Sequence, residues 1–331
     1  MTAQTHAGAE LRHTIGSTGR FILRIPSGDV RIVGTDGHDA VVRERNGRDL
    51  SDRFEIGAGN GLLELVAKQR LGITISIDNH VWGRGTPSLD IELPRGADVS
   101  VHTASAEIAT DGLVGRKDFR TASGDLVFEA CAGELGLDSV SGDVRIDANG
   151  ALDLHGKTIS GDLKVHAPRV TRFDLSTTSG DVWLDGELNG SGPFAIKSIS
   201  GDVLLVAHGS FQIEAQTITG DLVSEVSHRR ESLPGRKLLV VGRSGPTLAF
   251  KSVSGDFQIV EARDQQVNAM TDSDSLDRPG DSEPTTGSPA ADPLARTSGN
   301  EQSSLDILRA LERGEIDVDT ASERLAALEE A

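Results

Sequence analysis

Apolar residues alternate with polar ones around a tripeptide that recurs along the chain. Counting from the serine of Ser-Gly-Asp, most copies have apolar residues six and four places before it and three and five places after it. Around Ser200 these residues are Phe194, Ile196, Val203 and Leu205. Because alternate side chains of a strand face the same side, this period of two predicts a strand on each side of the tripeptide.

The tripeptide itself recurs at a nearly fixed step. Full copies begin at Ser27, Ser123, Ser141, Ser160, Ser179, Ser200 and Ser254, a threonine variant begins at Thr219, and a diverged copy reads Ser105-Ala106-Glu107. From the diverged copy to the threonine variant the steps are 18, 18, 19, 19, 21 and 19 residues. A period near 20 residues is typical of stacked repeats. We therefore predict an all-β fold, a β-solenoid of coils that read strand, corner, strand.

The residue types of the tripeptide suit a sharp corner between strands. Glycine takes positive φ without the steric cost of a Cβ, and serine and aspartate side chains hydrogen-bond backbone groups one or two residues along. A column of aspartates about 4.8 Å apart could instead bind cations, but calcium-binding repeats use a glycine-richer nonapeptide. We predict structural corners at Ser27, Gly28, Asp29, Gly124, Asp125, Gly142, Asp143, Gly161, Asp162, Gly180, Asp181, Gly201, Asp202, Gly220, Asp221, Gly255 and Asp256.

Composition divides the chain into four parts. We predict a polar lead-in at residues 1–17, the β-solenoid repeat domain at 18–262, a disordered acidic linker at 263–302 and a helical hairpin at 303–331. The linker contains mostly Asp, Ser, Pro, Thr and Gly, with almost no apolar content. Thr219 and Ser254 are 35 residues apart, which indicates either two coils with one corner lost or one coil with an inserted loop.

The last residues show the pattern of two short helices. Ser304 can cap a first helix from about Leu305 to Arg313, which Gly314 stops, and Asp317 can cap a second one through Ala331. A hairpin of this size is too small to bury a stable core alone. We expect it to dock on the solenoid, on a copy of itself or on another protein, with a passive C-terminal cap as the alternative. The candidate partner-binding residues are Ile307, Leu308, Leu311, Ile316, Leu325 and Leu328.

Charge and composition exclude several functions. The 331 residues carry a net charge of −18, which argues against nucleic acid as a partner and against attraction to anionic lipid. Cys131 is the single cysteine, so no intramolecular disulfide forms, and we expect it to pack as a small hydrophobe. No export signal or apolar run of 18 residues is recognisable, so we expect no transmembrane segment and a cytoplasmic location, with peripheral envelope association as an alternative.

No motif predicts catalysis, a cofactor or a metal site. The nine histidines are scattered, with no pair at metal-ligand spacing. The segment from Gly242 to Pro246 lacks the final glycine of a nucleophile elbow, and no phosphate-binding glycine loop is present. We therefore predict a protein that is not an enzyme, with a carbohydrate-active β-helix enzyme that uses paired carboxylates as a distant alternative.

The chain resembles the bacterial putative-adhesin family of β-strand repeat proteins, which are domains of unknown function. The resemblance covers about residues 20–262 and includes the N-terminal copy from Phe21 to Ile32, which contains Pro-Ser-Gly-Asp-Val. The segment from Ile307 to Ala321 is similar to short helical modules attached to such proteins. The resemblance implies a link to the cell envelope or its stress responses, without an established chemistry.

These observations favour a non-enzymatic structural or interaction protein. A β-repeat scaffold would carry a tethered helical hairpin for a protein partner or for self-association. The alternative is an adhesin-like module that binds a glycan, a peptide or a cation. The sequence leaves open the handedness of the coils, the partner, and whether the coils stack in parallel or as antiparallel hairpins.

Overall fold

The computed structural model describes residues 5–68, 86–233, 236–242 and 245–262. The predicted acidic linker and helical hairpin lie outside these residues. The described strands all belong to one compact unit, Met1–Glu261.

The described residues are nearly all β, as predicted, with a single four-residue helix, α1 (Leu50–Arg53). Their 21 strands belong to one sheet. The strands are β1 (Thr5–Ala7), β2 (Glu10–Thr14), β3 (Arg20–Thr35), β4 (Asp39–Glu44), β5 (Phe54–Gly59), β6 (Leu62–Ala67), β7 (Ser88–Pro94), β8 (Asp98–Asp111), β9 (Lys117–Ser123), β10 (Leu126–Ser139), β11 (Val144–Thr158), β12 (Leu163–Thr177), β13 (Val182–Leu188), β14 (Phe194–Ser200), β15 (Val203–Ala207), β16 (Phe211–Thr217), β17 (Leu222–Ser224), β18 (His228–Leu233), β19 (Arg236–Val241), β20 (Thr247–Ser254) and β21 (Phe257–Glu261).

Consecutive repeat units, each a strand before the corner, the corner and a strand after it, pair in parallel. Leu126 of β10 lies opposite Val144 of β11, which in turn lies opposite Leu163 of β12. The diverged copy occupies the same place as a full one, because Ser105 lies opposite both Ser27 and Ser123. The repeat units therefore stack in parallel, and the antiparallel alternative is wrong for them.

Two ladders of strands follow from this pairing. The pre-corner ladder contains β6, the first halves of β3 and β8, β9, the second halves of β10, β11 and β12, and then β14, β20 and β16. The post-corner ladder contains β7, the second halves of β3 and β8, the first halves of β10, β11 and β12, and then β13, β15, β21 and β17.

One continuous apolar core contains the inward side chains of both ladders. Phe119 before a corner meets Phe128 after it with ring centroids 4.9 Å apart, and Phe250 meets Phe257 at the same distance. The apolar residues predicted to flank Ser200 are all buried. The alternation read from the sequence thus corresponds to inward and outward positions.

At the C-terminal end, the order of the units in the stack differs from their order in the chain. The unit that carries Ser254 lies between those that carry Ser200 and Thr219, because β20 pairs with both β14 and β16, and β21 pairs with both β15 and β17. β18 and β19 form an antiparallel hairpin that pairs with β16. Of the two alternatives for the long interval between Thr219 and Ser254, the structure therefore supports an insertion, which is folded as strands rather than as a loop.

The N-terminal end is interleaved in a similar way. β3 pairs with β8 on one side and with β6 and β7 on the other. Both β3 at this end and β20 and β21 at the other end therefore have a neighbouring strand on each side. Their backbone groups are thus paired along both edges.

The structure differs from the predicted polar lead-in at residues 1–17. β1 and β2 lie in this stretch, and β2 pairs with β4. Leu11 and Ile15 are buried at 0% and 4% exposure. Their spacing, with buried His13 between them, has the period of a strand. This apolar pattern is short and lies among polar residues, so the sequence did not predict a strand here.

Candidate interaction face

A ladder of aspartate side chains joins successive corners. From Asp125 to Asp256 the Oδ1 atom of each corner aspartate accepts the backbone N–H of the corner aspartate in the next unit of the stack, at 2.8–3.0 Å. The donor–acceptor pairs are Asp143 to Asp125, Asp162 to Asp143, Asp181 to Asp162, Asp202 to Asp181, Asp256 to Asp202 and Asp221 to Asp256. The carboxylates thus bind the neighbouring unit, rather than a group one or two residues along as predicted, because stacking brings equivalent residues within hydrogen-bond distance.

The serine hydroxyls also reach the neighbouring unit. Ser141 donates to the carbonyl of Ala122, and Ser160 donates to the carbonyl of Val140, both at 3.3 Å. Both side chains of the tripeptide therefore satisfy backbone groups where the chain turns between ladders.

The glycines form a column in which no side chain fits. Gly180 has a φ of +128°, and a Cβ placed on it would overlap the carbonyl group of Gly161. Gly161 and Gly142 have the same relation, each to the glycine of the unit before it. Close backbone approach and positive φ therefore both require glycine at this position.

The N-terminal corner departs from the ladder. Asp29 forms an ion pair with Arg45 at 2.8 Å, and its backbone N–H donates to the carbonyl of Pro87 at 3.1 Å. Gly28 keeps positive φ, with the Pro87 carbonyl where its Cβ would be. This corner therefore contacts Pro87 on one side and the diverged copy at Ser105 on the other, instead of another Ser-Gly-Asp.

The outward side of the post-corner ladder carries features that do not repeat. An open groove of about 660 Å³, here called the outer groove, crosses four repeat units. Trp183 and Leu204 are the outward apolar residues of its lining, and Lys164 and Gln258 lie beside them. The corner carboxylates of Asp162, Asp181, Asp202 and Asp256 line its other side.

A second, smaller pocket adjoins this face. Asp185 binds two imidazoles, one on each carboxylate oxygen: His166 Nδ1 lies 3.1 Å from Oδ2 and His208 Nε2 lies 2.6 Å from Oδ1. These residues and Glu187 line a pocket of about 360 Å³. The shared carboxylate accepts a hydrogen bond from each ring and so holds both imidazoles in place.

These residues were missed because their separation along the chain is long. His166 and Asp185 are 19 residues apart, and Asp185 and His208 are 23 apart, close to one period of the repeat. A search for neighbours one period away would have found the cluster. Trp183 also carried a signal, because it is a large aromatic residue at an outward position of a strand.

Lys117 is the least expected residue of the interior. It stands between Val99 and Leu135 in the pre-corner ladder, is fully buried, and donates from Nζ to the carbonyls of Gly115 at 2.6 Å and Ala132 at 2.5 Å. Burial lowers the pKa of Lys117 from 10.5 to about 8. A perturbed lysine can mark a reactive site, but this one is closed to solvent and caps backbone carbonyls.

Cys131 is fully buried, as predicted for a small apolar residue, and burial raises the pKa of its thiol. In the part of the chain that the structure describes, no group of three His, Cys, Asp or Glu side chains is arranged to hold a metal ion. Nor is any helix in that part long and apolar enough to cross a membrane. The predicted partner-binding residues from Ile307 to Leu328 lie outside the described residues.

Comparison with protein families gives one match over most of the chain. The family described as Toastrack DUF4097 matches residues 9–260. This supports the resemblance to an adhesin-like domain family of unknown function. The helical module of the tail stays a prediction.

Three solved structures illustrate the similarity. A putative cell adhesion protein from Clostridium sporogenes is 10% identical, with 79% of this chain and 99% of that chain covered and a TM-score of 0.25. A putative adhesin from Bacteroides fragilis is 12% identical, with 77% and 98% covered and a TM-score of 0.29. A putative lipid binding protein from Parabacteroides distasonis is 11% identical, with 76% and 96% covered and a TM-score of 0.24. No curated protein matches the chain.

Proposed function

The chain belongs to the Toastrack DUF4097 family, and we propose that it is a non-enzymatic interaction scaffold. In this proposal the repeat domain is a β-solenoid that holds its outward faces in fixed positions. The helical hairpin predicted at residues 303–331 recruits a protein partner or a second copy.

The aspartate ladder is the observation that carries the proposal. The acids that recur most regularly, such as Asp181 and Asp202, each accept a backbone N–H from the next unit. Stacking thus explains why these aspartates repeat. A catalytic group usually has surroundings that differ from those of other residues of its type, whereas these aspartates all have the same surroundings. Ladders of this kind favour a stable framework over catalysis.

The departures from the repeat support an interaction role. Trp183 and the His166–Asp185–His208 cluster lie on one outward side of the framework and have no equivalents in the neighbouring units that the structure describes. Aromatic residues at the surface are typical of binding faces.

The recruitment step is tested by capture from the native cell with the full chain and a chain ending at residue 302. We expect the partner recovered with the full chain to be lost on deletion. A sharper variant replaces two residues of the predicted apolar side, Leu311→Ser with Leu325→Ser. Its matched control replaces charged residues of the same helices, Glu312→Ser with Glu323→Ser. Equal recovery with all four proteins would contradict recruitment by the hairpin.

The outer groove favours a second candidate function, the binding of a glycan, peptide or cation. The cation form of this candidate uses the aspartate column, since each carboxylate there has a second oxygen beyond the one in the ladder. A cation that binds only the folded state raises its melting temperature. Melting curves with calcium and with chelator test this, and identical midpoints would count against a cation site.

A further inference from the structure

Outward positions of the post-corner ladder change character along the stack. In β11 and β12 they are polar, with Arg145, Asp147, Lys164 and His166. In β13, β15, β21 and β17 several of them become apolar, beside polar Asp185 and Gln258, although the strands have the same inward pattern. We call this second group the apolar strip; it consists of Trp183, Leu204, Val206, Val260 and Val223.

The strip is continuous across β13, β15 and β21. Trp183 lies opposite Leu204, and Val206, on the same strand as Leu204, lies opposite Val260. Val223 lies beyond Gln258 at the end of the ladder and is 49% exposed. The stacking that explains the inward apolar residues places these side chains on the outside, where core packing gives no reason for them. An outward apolar surface with a polar border is typical of a protein interaction site.

The border of the strip determines the charge of its partner. The corner carboxylates of Asp181, Asp202 and Asp256 line the outer groove beside Trp183, with Lys164 on the same face. A second copy of the chain carries the same net charge of −18, so electrostatic repulsion disfavours it as the occupant. A basic partner is attracted by the carboxylates, and its cations also bind favourably over an indole ring.

We propose that the apolar strip docks a basic, amphipathic segment of a partner protein. The apolar side of that segment covers Trp183 and Leu204, and its Lys or Arg side chains reach the corner carboxylates. This inference rests on the proposed interaction role and adds a second contact surface, separate in sequence from the helical hairpin predicted at residues 303–331.

Three fluorescently labelled peptides of equal length and without tryptophan test the proposal on the full chain. One is an amphipathic Leu/Lys peptide, the second has Ser in place of Leu, and the third has Glu in place of Lys. We expect fluorescence anisotropy to show saturable binding of the Leu/Lys peptide alone, weakening as salt rises. Equal binding of the Ser/Lys peptide would reduce the effect to general attraction by net charge and overturn the proposal.

Substitutions then locate the binding. Trp183→Gln should weaken the Leu/Lys peptide roughly tenfold, as for a central aromatic residue of an interface. Asp181→Asn with Asp202→Asn should make the affinity for the Leu/Lys peptide less dependent on salt concentration, while the amide oxygens still accept the ladder hydrogen bonds. Val127→Gln is the matched control, since Val127, Arg145, Lys164 and Trp183 occupy the same outward column. Binding that is unchanged by Trp183→Gln, or equally reduced by Val127→Gln, contradicts the assignment.

The intrinsic fluorescence of Trp183 gives an independent readout. The chain has two tryptophans, and Trp82→Phe leaves Trp183 alone. The Leu/Lys peptide should shift its emission to shorter wavelength and protect it from quenching, because docking removes the ring from water. An unshifted spectrum at saturating peptide would place the contact elsewhere. Deleting residues 303–331 should not change either readout, so failure here is distinguishable from failure of recruitment by the hairpin.

Discussion

The Oδ1 atom of Asp181 accepts the backbone N–H of Asp202 at 2.8 Å, across the boundary between two repeat units. The same carboxylate belongs to a residue whose own N–H is bound by Asp162. One side chain in each unit therefore connects it to the next, and the backbone at the corner stays satisfied although it has left the regular strands.

Replacing Asp181 separates the hydrogen bond from the charge. Asp181→Ala leaves the N–H of Asp202 without its acceptor and should lower the free energy of unfolding by about 1–2 kcal/mol. Asp181→Asn keeps an acceptor oxygen and removes one of several like charges in a column, so it should cost less than about 0.5 kcal/mol. Urea denaturation measures both. Equal losses for the two variants would show that the charge, not the acceptor, is what the corner uses.

Gly180 tests the close approach of the corners. Gly180→Ala combines an unfavourable φ with overlap between the new Cβ and the Gly161 carbonyl, so we expect a loss of about 3 kcal/mol or more. Gly47→Ala is the matched control, because Gly47 also has positive φ, at +70°, but has open space around its Cβ position. It should lose about 1 kcal/mol. Similar melting temperatures for the two variants would contradict steric exclusion at the corner.

Lys117 makes stability depend on pH in the alkaline range. Its pKa is about 8 in the folded protein and 10.5 as its ordinary value. Between these values the unfolded chain binds a proton that the folded protein lacks, so the contribution of Lys117 to stability rises with pH. Below about pH 8 both states are protonated, and folding bears the full cost of burying the ammonium group, about 3 kcal/mol.

Lys117→Met removes this titration. Both proteins are compared in a Cys131→Ala background, which eliminates the thiol. The free energy of unfolding of the protein that keeps Lys117, minus that of the Lys117→Met variant, should rise by about 3 kcal/mol from about pH 8 to 10.5. Denaturant unfolding at several pH values measures the difference. A difference that is constant across this range would mean that the buried amine keeps its ordinary pKa.

The local part of the fold was predictable because each repeat unit shows its own pattern. Phe194 and Ile196 before a corner and Val203 and Leu205 after it alternate with polar residues, which is enough to define two strands and their inward sides. The tripeptide marks the corner because backbone contact leaves no space for a Cβ at the middle position of the full copies.

The order of the units could not be predicted in this way. Phe211 and Ile213 of one unit and Leu248 and Phe250 of another present similar apolar pairs to the core. Either unit fits beside β14 by this pattern, and the choice depends on contacts between distant segments. The His166–Asp185–His208 cluster was missed for a related reason, since its members meet only when units stack in register.

Engineered disulfides test the interleaved order directly. Ser200 lies opposite Ser254 in adjacent parallel strands, about 4.8 Å apart, which a disulfide can span. Thr219 lies one unit further, about 10 Å from Ser200, which is too far. In a Cys131→Ala background, Ser200→Cys with Ser254→Cys should therefore oxidise completely, as should the adjacent pair Ser179→Cys with Ser200→Cys. Ser200→Cys with Thr219→Cys should keep both thiols. Thiol titration and mass measurement distinguish the outcomes. If Ser200→Cys with Thr219→Cys oxidised and Ser200→Cys with Ser254→Cys did not, the units would be stacked in chain order.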